Sequence, residues 1–138
     1  MMAFDLDASV AAAWLLPEEH SEAAEALIGA LTAQCPVLSL FWHEARSIVL
    51  MAERRNRIAP GEAIAAMGRL RRLPLEDAGT GGDGSVLALA TSHGLSAYDA
   101  AYLSLALERT LPLATLERKL VAAALAEGVE MGGLLGNG

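Results

Sequence analysis

The chain has 138 residues, 54% of them hydrophobic and 20% charged, and a formal net charge of −7. That length suits one domain whose core needs no disulfide support, and it leaves no room for a second. The acidic balance argues against broad electrostatic capture of nucleic acid, and no apolar stretch reaches the ~20 residues that span a bilayer before Arg, Glu or Pro interrupts it.

Met1-Met2-Ala3-Phe4-Asp5 has neither the basic start nor the long apolar run of a secretory signal, and Cys35 is the only cysteine. A cytoplasmic location is therefore expected, away from membranes. Cys35, just ahead of Pro36 and an apolar run, reads as a packed small residue rather than a nucleophile. Ala3 to Asp7 predicts a short strand. From Ser9 onward Val10, Trp14 and Leu15 recur at helical spacing until Pro17 ends or kinks the helix. Ser21 to Ala33 predicts a second helix, capped by Ser21. Pro36 to Leu40 predicts a buried strand, and Glu44 to Arg55 and Pro60 to Arg72 predict helices, with Pro60 in a tolerated first-turn position.

Leu73 to Leu75 predicts a brief strand. The run from Gly79 to Gly84 has the spacing of a dinucleotide-binding loop. It comes late in the chain after a weak strand, so it reads as a flexible loop with Asp83 or Ser85 capping the next helix, and no nucleotide cofactor is expected. Helices are predicted at Ser85 to His93, Tyr98 to Glu108 and Leu116 to Ala126, and strands at Pro112 to Ala114 and Val129 to Met131. Residues 1–131 thus form one domain, followed by a flexible glycine-rich tail at 132–138. Short apolar strands alternating with helices predict an α/β fold: a central, mainly parallel sheet of about four to five strands in a three-layer α/β/α arrangement.

In such sheets ligands bind beyond the carboxyl ends of the strands. Asp7 ends the first strand, and Thr115 with Glu117 lies at the equivalent corner of the Pro112 to Ala114 strand. Glu44 opens the helix after the second strand, and Asp99 sits in the first turn of its own helix. Each acid taken singly also reads as a helix-terminal residue: Asp7 as a cap, Asp99 as the third-position partner of Ser96, Glu44 and Glu117 as favourable to the macrodipole. Together on one rim they would repel unless a cation offset their charge, and hard oxygen ligands suit Mg²⁺ or Mn²⁺. Asp5 shares a strand face with Asp7 and reads as a neighbour of the site or an edge residue. His20, His43 and His93 are isolated, and Trp14 and Trp42 read as packing residues near the rim. Tyr98 and Tyr102, four apart, also read as packing residues. Arg54, Arg55, Arg57, Arg69, Arg71 and Arg72 crowd one stretch and offer a local basic surface on an acidic protein.

Several blocks then look like a known pattern. Leu6-Asp7-Ala8-Ser9-Val10-Ala11 with Trp14-Leu15-Leu16-Pro17-Glu18-Glu19, Phe41-Trp42-His43-Glu44, Gly94 to Ala106 around Ser96-Ala97-Tyr98-Asp99-Ala100-Ala101-Tyr102, and Leu111 to Leu120 around Thr115-Leu116-Glu117 follow in order. This resembles PIN-domain ribonucleases of the VapC toxin type over residues 4–131. The resemblance implies that Asp7, Glu44, Asp99 and Glu117 are catalytic and hold Mg²⁺ or Mn²⁺, with Ser9 and Thr115 as polar neighbours. It further implies metal-dependent endonucleolytic cleavage of RNA, neutralisation by a cognate VapB-like antitoxin, and a homodimer. Arg54, Arg55 and Arg57 become the candidates for an RNA or antitoxin surface.

Two positions depart from the pattern: Glu117 stands where the family usually has Asp, and Ser47 where it often has Asn. Glu117 leaves open whether the site takes one metal or two. The departures support an alternative, a degenerate PIN module that binds its antitoxin or RNA without cleaving. A receiver-like phosphoacceptor domain is a second alternative. It would need a Lys ending the last strand, whereas Lys119 lies inside a predicted helix.

Overall fold

The computed structural model describes residues 3–17, 22–31 and 33–132. Eleven elements alternate along them: β1 (Asp5–Leu6), α1 (Ala8–Leu15), α2 (Glu22–Gly29), β2 (Cys35–Val37), α3 (Ser39–Arg54), α4 (Glu62–Arg71), β3 (Leu75–Asp77), α5 (Asp83–His93), α6 (Ala97–Arg109), β4 (Leu113–Ala114) and α7 (Arg118–Ala126). All strand pairing is parallel: β1 with β4, Asp5 opposite Leu113 and Leu6 opposite Ala114, and β2 with β3, Cys35 opposite Leu75. A single parallel bridge joins Leu113 to Met131, where the last strand was expected. β1 also lies against β2, so the short strands form the middle of a three-layer α/β/α domain, as the alternating sequence predicts.

The packing follows from residue choice. α1 buries six of its eight residues, and α6 buries an unbroken run from Ala100 to Ala106. Burial this extensive marks both helices as central, although α6 keeps polar residues, Asp99, Glu108 and Arg109, outside its buried run. α6 packs on β1, β4, α5 and α7, while α1 packs on α2 and α3. Phe41, Leu6, Leu38, Leu70 and Leu103 are fully buried, each contributing about 1.5–3 kcal/mol by leaving water. No helix among the described residues is long and apolar enough to cross a membrane.

Several predicted boundaries move, each for a tertiary reason. The second helix ends at Gly29, short of Ala33, and Ser21, His20 and residues 133–138 lie outside the described residues. Strand β2 stops at Val37 and α3 begins at Ser39, where the Ser39 amide donates to Gly79 O (2.9 Å) and its hydroxyl to Asp77 Oδ1 (2.9 Å). This anchor makes a helical turn of bulky residues that read as strand. Glu44 accordingly sits in the second turn of α3 and does not open the helix.

α4 begins at Glu62, leaving Pro60 in the preceding turn. Its first amides are satisfied from a neighbouring helix: Glu53 Oε1 accepts from Gly61 N (2.8 Å) and Ala63 N (3.3 Å), replacing a side-chain cap. α5 takes in Asp83 and Gly84, and neither Asp83 nor Ser85 caps it. The capping position is Gly82, without a side-chain bond, and the Ser85 hydroxyl instead meets that of Ser104 at 2.8 Å. Asp5 is wholly buried, on a strand that hydrogen-bonds β4 on one side and packs against β2 on the other.

Candidate functional site

The parallel register of β1 and β4 brings their carboxyl ends level. Asp5 N donates to Pro112 O (2.9 Å) and Asp7 N to Ala114 O (3.2 Å), so Asp7 and Thr115 leave the strands side by side. Asp7 caps α1, with Oδ1 accepting from Ser9 N (3.0 Å) and, more weakly, Val10 N (3.4 Å). Ser9 Oγ also donates to Asp7 Oδ1 (2.5 Å), and Thr115 Oγ1 donates to Asp7 Oδ2.

A hydroxyl has one proton, and both protons here go to Asp7. The two oxygens are left as acceptors: Ser9 Oγ takes the Leu116 amide (2.8 Å) and Thr115 Oγ1 takes the Glu117 amide (3.0 Å). Ser9 and Thr115 are thus relays that tie the loop from β4 to α7 onto Asp7. With these amides bonded to side chains, α7 starts at Arg118 instead of the expected Leu116, and Glu117 stands at its capping position without using its side chain as a cap.

Glu44 and Asp99 arrive from other elements. Ser96 caps α6 by accepting the Asp99 amide (3.0 Å), as the sequence suggests, and leaves the Asp99 carboxylate to the cleft. Tyr102, one turn further along α6, is 1% exposed and donates its hydroxyl to Glu44 Oε1 (2.6 Å). Tyr102 is the site residue that sequence reading assigned to packing. Its spacing of three from Asp99 places both on one helix face, which is the signal that could have found it.

These residues line one cleft of about 710 Å³, shared by Asp7, Glu44, Asp99 and Glu117 with Ser9, Ser47 and Tyr102. Of the arginines expected at a binding surface, Arg55 and Arg57 line the same cleft and Arg54 does not. Alanines Ala8, Ala12 and Ala13 of α1 supply the room. Thr115 lies buried beneath. His43 is exposed, with its Nδ1 2.8 Å from Arg46. Trp14 and Trp42 pack against the core, and Arg71 stacks 3.8 Å over the Trp42 ring. Cys35 is buried, as its sequence setting suggests.

The electrostatics of the acidic end are unfavourable to charge. Burial pushes the Asp7 carboxyl up from 3.8 to about 6, even though Ser9, Thr115 and backbone amides pull it down. Burial also raises Asp99, against a lowering from Lys119, a nearby cation that sequence reading placed only within a helix. Asp5, one step down the strand from Asp7, is raised well above the carboxylate range by burial and then by Asp7, with a smaller lowering from the Ala106 backbone. The Ala106 backbone approaches without reaching hydrogen-bond geometry, so neither Asp5 oxygen has a formed partner.

The donor set suits a hard divalent cation in kind: several carboxylates, two of them raised, facing an open cleft. It is not a closed cage, because among the described residues no three Asp, Glu, His or Cys side chains stand close enough to share one ion. Holding one would require Glu44, Asp99 and Glu117, none of them fully buried, to turn towards Asp7.

The model of the family described as the PIN domain matches residues 6–125. The chain belongs to the PIN-domain family. Solved structures similar to it include the PAE2754 protein of Pyrobaculum aerophilum (23% identity, TM-score 0.69, 88% of this chain and 79% of that one). Others are the Mycobacterium tuberculosis VapC20 toxin, described as cleaving the sarcin-ricin loop (15%, 0.64, 88% and 94%), and a toxin-antitoxin complex from Klebsiella pneumoniae (18%, 0.60, 88% and 91%). No curated protein gave a significant sequence match.

Proposed function

We propose that the protein is an Mg²⁺- or Mn²⁺-dependent endoribonuclease acting as the toxin of a type II toxin–antitoxin pair. The observation that carries this reading is the convergence of Asp7, Glu44, Asp99 and Glu117, from four distant parts of the chain, on one cleft in a PIN-domain protein. Asp7 and Asp99 would hold the metal with Glu44, and Glu117 would hold a second ion or orient the attacking water.

A divalent ion held there would supply an activated water and offset the charge that builds on phosphorus. The chain's own residues do the rest. Ser9 and Thr115 fix the Asp7 carboxylate in one orientation, and Tyr102 fixes Glu44. Lys119 offsets part of the charge on Asp99. A VapB-like antitoxin is the partner, in keeping with the toxin-antitoxin complex among the similar structures. A homodimer suits α5, which buries only Val86 and leaves Leu87 61% exposed; sedimentation at the mass of two chains would bear that out.

Purified protein is expected to cleave RNA with Mg²⁺ or Mn²⁺, and to stop with EDTA or as Asp99→Asn. Expression should arrest growth, and Asp7→Asn should relieve the arrest; arrest that persists in that variant counts against nuclease toxicity. The second reading, a binding module without cleavage, is favoured by the open spacing of the carboxylates and by Glu117 and Ser47. Tight partner binding with no RNA cleavage in any metal would establish it.

A further inference from the structure

The cleft has a second end that the carboxylates do not use. One face of α3 runs along it: Glu44, Ser47, Ile48 and Met51, then Arg55 just past the helix, then Arg57. At ~1.5 Å rise per residue, the eleven steps from Glu44 to Arg55 cover about 16 Å. Opposite, α1 contributes Ala12 and Ala13, with Leu16 beyond its end. The cleft is therefore acidic at the strand ends, small and apolar along its middle, and guanidinium-bearing at the far end.

The far end is built rather than frayed. Asn56 takes a left-handed conformation (φ 59°), which short polar side chains tolerate. Arg57 N closes the turn on Ala52 O (2.8 Å). Ile58, 8% exposed, then plugs a small apolar cluster with Ala12, Leu16 and Ala52. The plug ties the turn that carries Arg55 and Arg57 to α1, the opposite wall. Arg54, one residue earlier, lies on the outside.

We propose that Arg55 and Arg57 form a phosphate subsite for single-stranded RNA, gripping a backbone phosphate other than the one cleaved at the carboxylate end. This rests on the ribonuclease reading above. Planar guanidiniums recognise phosphate oxygens in bidentate fashion. The intervening apolar floor suits the face of an unstacked base, which a single strand can present and a duplex keeps stacked. The subsite also explains how a chain of net charge −7 can hold RNA: attraction is concentrated at one place in the cleft.

The test uses a short fluorescein-labelled single-stranded RNA of mixed sequence, bound to full-length protein carrying Asp7→Asn so that it stays intact. Adding Arg55→Ala and Arg57→Ala should weaken binding about tenfold and flatten the salt dependence by about 0.7 in log–log slope per arginine. Arg54→Ala should leave both unchanged, and a duplex of the same sequence should bind more weakly than the single strand. In the otherwise wild-type protein the two substitutions should raise KM for RNA cleavage and leave kcat within twofold. Arg55→Ala alone gives half the slope change if the double variant is unstable.

Wild-type affinity and slope in the double variant, with RNA still cleaved by the parent, would overturn the subsite and leave the nuclease reading intact. So would a loss in Arg54→Ala equal to that in Arg55→Ala, which would mark a diffuse surface field, or a loss of affinity for a purified antitoxin alone. Failure of the parent protein either to bind or to cleave RNA removes both readings.

Discussion

The two ends of the cleft are made in opposite ways. The acidic end is built from the interior: Asp7 is 3% exposed, held by two hydroxyl relays, and raised to about 6, with the unpartnered Asp5 beneath it. The basic end is built from the surface, on a turn that one buried isoleucine pins in place. Charge at the first end works against the fold, whereas the arginines at the second are exposed, where charge is nearly neutral to it. The same kind of substitution should therefore act on stability at one end and on binding at the other.

Asp7→Asn tests this most strongly. Asn keeps the cap and an acceptor for Ser9; it loses the acceptor for the Thr115 hydroxyl, a smaller cost than that of the buried charge it removes, and cleavage should fall by about 100-fold or more. In metal-free protein at pH 8 the melting temperature should rise. A variant that is both inactive and less stable than the parent would show that the carboxylate is supported better than its burial implies.

The same logic sets a pH dependence. In the folded protein Asp7 binds its proton up to about pH 6, while in the unfolded chain it releases it near 3.8. Between those values the folded state holds more protons, so metal-free stability falls as pH rises through about 4 to 6. That fall amounts to about 3 kcal/mol at most, from ~1.36 kcal/mol for each tenfold change in proton affinity. Adding Mg²⁺ or Mn²⁺ should restore stability above pH 6 and do little below pH 4, where the carboxylates are protonated. A melting curve indifferent to metal at pH 8 would separate this acidic end from metal binding.

Asp5→Val should come next in size. It places a β-branched residue in the interior of β1 and removes two buried oxygens without partners, a gain of about 1–3 kcal/mol. Chemical denaturation would read it directly. Loss of stability would mean that Asp5 is satisfied in solution by a buried water.

How far these features were legible in the sequence depends on where their cause lies. Asp7, Thr115 and Glu117 could be placed together because parallel strands end on one rim, a rule that needs only the strand order. Ser9 and Thr115 were visible as neighbours, but their role as relays was not, since it depends on amides at Leu116 and Glu117 finding no helical partners. The start of α3 was missed because it is held by Asp77 and Gly79, forty residues away in sequence on the end of a different strand. Local propensity has no access to such an anchor. Asp5 read as a neighbour of the site or an edge residue, and its complete burial was not foreseen, because alternation gives the face of a strand and not its depth.

Tyr102 offers the smallest and most discriminating change. Its ring is buried and its hydroxyl gives Glu44 a bond of 2.6 Å, while burial and then Glu44 push the pKa of that hydroxyl up, keeping it a donor at every working pH. Tyr102→Phe keeps the ring and its packing. Glu44 is only half-buried, so water replaces much of the lost bond and stability should fall by about 1 kcal/mol or less. Activity should respond more, because Glu44 loses the contact that orients it: kcat should fall several-fold, KM for RNA should hold, and the metal concentration for half-maximal rate should rise. A structural role alone would lower the melting temperature and leave that metal dependence where it was. The acidic end of the cleft would then depend on Asp7 and Asp99, with Glu44 a bystander.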